Sequence, residues 1–140
     1  MAYGILGSQA RPAIPELAQL MNNPAFPIAS QNAFIALANI GKDALPVLTT
    51  FLTNTNGTKR GNLATYFGTV PALATNAESV VPLLRCLDDP DAEVSSSAAL
   101  ALGLMTRDFP SQANVVAVAL SNSPPTLRIT MASIYLLKCA

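Results

Sequence analysis

The sequence predicts an all-α protein, a solenoid of about four stacked helical hairpins, on three observations. A helix–turn–helix pattern recurs along the chain, its copies lie about one repeat length apart, and each copy turns on residues that stop helices. The pattern is clearest from Val81 to Met105. Pro82 suits the first turn of a helix, where its missing N–H leaves no bond unmade. Leu83, Leu84 and Leu87 form its apolar stripe. Asp88-Asp89-Pro90-Asp91 ends it, because the residue before a proline is pushed out of the α region. Asp91 is an N-cap for a second helix, and its carboxylate and that of Glu93 sit near the positive end of the helix dipole. Val94, Ala98, Ala101, Leu102 and Met105 then recur at three- and four-residue steps and mark one buried face.

The copies are Ile14-Pro15-Glu16-Leu17, Leu45-Pro46-Val47-Leu48, Val81-Pro82-Leu83-Leu84 and, without proline, Val115-Val116-Ala117-Val118. Spacings of 31, 36 and 34 residues separate Pro15, Pro46, Pro82 and Val116. A unit of this size cannot bury its stripes alone and must stack on its neighbours. Asn22-Asn23-Pro24, Asn54-Thr55-Asn56-Gly57 and Asn122-Ser123-Pro124-Pro125 supply the other turns.

The chain then divides as one domain over residues 1–140. Ala2–Gly7 matches residues 36–41 at an offset of 34, and Met1–Gly7 is expected to be the end of a preceding helix. Repeat one spans 8–41, with helices near Ile14–Met21 and Ile28–Ile40, and Gly41 at the left-handed position past a helix end. Repeat two spans 42–70, with helices near Ala44–Leu52 and Lys59–Val70. Gly61 and Gly68 lower helix propensity there unless a neighbour's backbone comes close. Residues 71–78 form a linker with room for one helical turn, 79–106 repeat three and 110–140 repeat four, with helices near Gln112–Leu120 and Pro125–Lys138. Both ends of the stack are expected to lack a polar cap, which favours association.

These residues resemble the HEAT-repeat family in its short bacterial form. The likeness rests on Leu87-Asp88-Asp89-Pro90-Asp91-Ala92-Glu93-Val94, on Ala101-Leu102-Gly103 and on Ala36-Leu37-Ala38-Asn39-Ile40-Gly41. It covers nearly the whole chain, implies a right-handed α-α superhelix whose second helices line a concave face, and implies a scaffold that binds other macromolecules.

Composition narrows the function. Charged residues make up 11% and apolar residues 51%, so the surface must be rich in Ser, Thr, Asn, Gln and exposed aliphatics. Eight basic and eight acidic residues balance, and no basic stripe argues for nucleic acid. No apolar run approaches the length of a membrane span and the N-terminus lacks a secretory pattern, so a cytoplasmic location is expected. Without histidine, the Ser-His-Asp and Cys-His arrangements and His-ligated zinc are excluded. Cys86 and Cys139 form no motif and are expected to be buried free thiols. Asp88, Asp89, Asp91 and Glu93 are accounted for by turn formation and capping, and no glycine spacing fits a phosphate loop. No metal or cofactor is expected.

What remains is surface. Aligning Ala29, Lys59, Val94 and Leu127 across the four second helices places Gln31, Asn32, Ile35, Arg60, Asn62, Ser96, Leu100, Arg128 and Ile129 on the concave face. Ile35, Leu100 and Ile129 are its candidate apolar anchors, although a one-residue shift of helical phase would put them in the core. The expected function is a non-enzymatic interaction module holding a protein or peptide, or another copy of itself, through this face and its open ends. The alternative is a HEAT-like enzyme or enzyme accessory of the chromophore-lyase type.

Overall fold

The computed structural model describes residues 7–54 and 56–139, so the expected remnant helix at Met1–Gly7 lies, but for Gly7, outside the described residues. The described chain is all-helical. Eight α-helices and one four-residue helical turn follow in order: α1 Ile14–Met21, α2 Pro27–Ile40, α3 Leu45–Asn54, α4 Gly57–Thr69, the turn α5 Pro71–Ala74, α6 Val80–Cys86, α7 Ala92–Asp108, α8 Pro110–Ser121 and α9 Pro125–Cys139. Three 3-10 segments, Gly7–Ala13, Gly41–Ala44 and Ala77–Ser79, link or precede them. The stretch expected as a plain connection before α1 is therefore itself helical.

The helix boundaries have local causes. Proline occupies the first or second position of α1, α2, α5 and α8. Asn56 caps α4 by accepting from the Lys59 N–H at 3.0 Å, and Asp91 caps α7 by accepting from the Glu93 N–H at 2.9 Å. Asp89 Oδ1 accepts from the Asp91 N–H at 2.9 Å, so the carboxylates of this turn serve the backbone. Gly41 has the expected positive φ of 77°, but its ψ of −126° is not left-handed helical. It reverses the chain into the 3-10 turn, and a Cβ there would stand 2.9 Å from the Ala72 carbonyl oxygen of α5. Only glycine fits that approach.

The helices pair as hairpins: α1 packs on α2, α3 on α4, α6 on α7 and α8 on α9. Across hairpins the closest packing is between α4 and α7. They run parallel, since Gly57 abuts Asp91, Gly61 abuts Glu93 and Ser97, and Gly68 abuts Ala101. The four second helices begin at Pro27, Gly57, Ala92 and Pro125, so Ala29, Lys59, Val94 and Leu127 are each the third residue of their helix.

One core runs through the hairpins, with Leu37, Leu48, Phe67, Leu73, Val80, Leu83, Val94, Leu102 and Met105 sealed from solvent. Each such side chain contributes roughly 1.5–3 kcal/mol over its exposed state. The segment Pro27–Thr53 has the length and hydropathy of a membrane span, but half of its most apolar window is buried inside the protein and Gly41 breaks it into two helices. Many exposed hydroxyls turn back onto their own helix. Thr50 donates to Pro46 O, Thr69 to Thr65 O, Thr75 to Pro71 O and Thr130 to Thr126 O, at 2.7–3.0 Å. Such bonds satisfy the side chain without a partner, so a surface poor in charge remains weakly polar.

Candidate functional site: a cleft between two second helices

The second helices of the first two hairpins, α2 and α4, do not close on each other as α4 and α7 do. Between α2 and α4 lies an open cleft of about 550 Å³. It is lined by Ser30, Gln31 and Phe34 on α2 and by Lys59, Asn62, Leu63 and Tyr66 on α4. At one end Phe34 and Tyr66 meet edge to face, with centroids 4.9 Å apart and rings at 85°, and hold the helices apart at side-chain distance. Met21 at the end of α1 and Phe51 of α3 complete an apolar floor. Asn23, Ser30, Gln31 and Asn62 add neutral polar groups. The Ser30 hydroxyl donates to Met21 O at 2.6 Å and fixes α2 against the end of α1.

Equivalent positions explain why one seam closes and the other stays open. The fifth and eighth residues of α2 are Gln31 and Phe34; those of α4 are Gly61 and Ala64. The sixth and tenth residues of α4 are Asn62 and Tyr66; those of α7 are Ser97 and Ala101. Small side chains let α4 and α7 meet backbone to backbone, and large ones at the same positions prevent it between α2 and α4.

The residues expected on the concave face divide three ways. Gln31 and Asn62 line the cleft, both exposed. Asn32 is exposed on α2, Ile35 and Ser96 are half-buried, and Arg128 is exposed on α9. Leu100 is 38% and Ile129 65% exposed, so neither sits in the core. Arg60 departs from expectation. Its guanidinium pairs with Asp89 at 2.9 Å, with side-chain accessibilities of 17% and 15%, which ties the start of α4 to the turn before α7. It therefore belongs to the closed seam. The aligned series also mixes environments, since Val94 is buried where Lys59 is exposed.

Lys59, Phe34, Tyr66, Phe51 and Met21 were not expected as site residues. Only Phe34 and Tyr66 carried a signal, as aromatic residues of α2 and α4 at positions where the neighbouring second helices have alanine.

The electrostatics are sparse. Among the described residues Lys59 is the one charged residue lining the cleft. Among the described residues the ion pairs join Arg11 to Asp43, Lys42 to Glu78, Arg60 to Asp89 and Arg107 to Asp108, and none involves Lys59. Cys86 is buried on α6, and its burial, reinforced by Asp89, pushes the thiol up to about 11, so it is not a nucleophile at neutral pH. Among the described residues no three His, Cys, Asp or Glu side chains converge as metal ligands. No family model, curated protein or solved structure matches this chain.

Proposed function

We propose that this chain is a non-enzymatic protein-interaction module, a right-handed α-α superhelix of four HEAT-like hairpins that holds a protein segment in the cleft between α2 and α4. The observation that carries the reading is the cleft itself, an apolar floor bordered by Gln31, Asn62 and Asn23. Carboxamides both donate and accept, which suits the amide groups of a peptide backbone, and an apolar floor suits its side chains. The matched starts of the four second helices and the parallel α4 and α7 support the superhelix. The cytoplasmic location and the absence of catalytic work belong to the same proposal.

The test is a selection of displayed random peptides on the intact chain, followed by affinity measurement on Tyr66→Ala. Enriched peptides that lose about tenfold in affinity support the reading, that loss being roughly 1.4 kcal/mol. Failure to enrich any sequence, or equal binding to Tyr66→Ala, overturns it.

Self-association is a second reading, favoured by the large apolar side chains left exposed at Phe26, Ile28, Val118 and Ile129. Light scattering after size exclusion tests it. A salt-resistant dimer that Ile28→Glu or Ile129→Glu converts to monomer supports it, and a monomer at high concentration sinks it.

A further inference from the structure

Resting on the reading of the α2/α4 cleft as a protein-binding site, we infer that its occupant is the C-terminal end of a partner chain, with an apolar last residue beside its terminal carboxylate. Two adjacent basic residues open α4, and the structure treats them differently. Arg60 turns to α7 and pairs with Asp89. Lys59 lines the cleft, exposed, and among the described residues no acidic one shares that lining. It stands in the first turn of a 13-residue helix, where the helix dipole adds to the positive potential. One cation is thus set beside Met21, Phe34, Phe51, Leu63 and Tyr66, an arrangement complementary to one anion carried on an apolar body.

A chain terminus meets that demand on a single residue, because the carboxylate and the last side chain leave the same Cα. The preceding peptide groups then reach Gln31 and Asn62, which supply donors and acceptors but no charge. A volume of about 550 Å³ is within the range of small-ligand sites, and it suits a chain end of a few residues.

The test uses the tetrapeptide acetyl-Gly-Ala-Leu-Phe as the free acid and as the C-terminal amide, titrated into the intact protein at low salt and followed by backbone amide NMR shifts. The acid is expected to bind at least about fivefold tighter than the amide, with shifts at Ser30, Gln31, Asn62 and Tyr66. Lys59→Gln is expected to remove the difference between acid and amide, and added salt is expected to shrink it. Equal binding of acid and amide in the cleft overturns the carboxylate and leaves the protein-binding reading standing. A difference that survives Lys59→Gln overturns the role of Lys59. Binding of 3-phenylpropionate as tight as the tetrapeptide acid overturns the chain end in favour of a small apolar acid. If no probe moves cleft resonances, the inference falls, and the displayed-peptide selection decides separately on the broader reading.

Discussion

The seams on either side of α4 are built at the same helical positions from residues of opposite size. Toward α7, Gly61 meets Ser97 and Gly68 meets Ala101, Ala64 is fully buried, and the helices lie close enough that a Cβ at Gly68 would stand 2.6 Å from the Ala101 carbonyl oxygen. Toward α2, the positions matching Gly61, Ala64, Ser97 and Ala101 carry Gln31, Phe34, Asn62 and Tyr66, and a cleft results, while Ala38, at the position of Gly68, stays small. The lesson is that neighbouring seams of one helical core need not close alike: residue volume at two or three positions per helix decides whether a seam is core or surface.

Substitutions can break this contrast from both sides. Gly68→Leu carries the largest expected effect, because its side chain has nowhere to go but into the α7 backbone. Urea unfolding should show a loss of about 3 kcal/mol or more, or failure to fold. Cys86 gives an independent readout near this seam. In a Cys139→Ser background the intact protein should protect the Cys86 thiol from alkylation at pH 8, as burial and a pKa of about 11 require, and Gly68→Leu should expose it.

Phe34→Ala comes next. Phe34 is half-buried, so losing its packing and its contact with Tyr66 should cost about 1–2 kcal/mol in the same assay, less than a fully buried phenylalanine. Arg60→Gln removes the partly buried pair with Asp89 and should cost about 1 kcal/mol. If Phe34→Ala proved as damaging as Gly68→Leu, the two seams would not differ in the way described here.

The smallest effect belongs to the solvent pair of Arg11 and Asp43, away from both seams. The Arg11 guanidinium, by its hydrogen bond, holds the Asp43 carboxyl below its ordinary value. A depressed carboxyl contributes stability that is present above its unfolded pKa, near 4, and lost as pH falls through its folded value. Arg11→Gln should therefore change unfolding midpoints little at any pH, and what it changes should vanish in acid.

Much of the helical order was legible because it is locally encoded. Pro15, Asn56, Asp91 and the aliphatic steps of α7 announce boundaries and faces through chemistry within a few residues. The 3-10 segment at Gly7–Ala13 was not legible, since its composition matches a loop. The cleft was only half legible. Gln31 and Asn62 could be placed on a helix face by counting, but the gap beside them depends on which neighbour each face meets. Arg60 shows the same limit: its position in α4 was right, yet only the turn before α7, 29 residues on, reveals that it is paired. Lys59, one step away, carried no distinguishing signal in the sequence.

The most direct measurement is an amide NMR map of the protein saturated with an enriched peptide. Shifts concentrated at Ser30, Gln31, Phe34, Lys59, Asn62 and Tyr66 are the predicted result. Shifts concentrated at Gly61, Ser97 and Ala101, or around Ile129, would contradict the assignment of binding to the open seam.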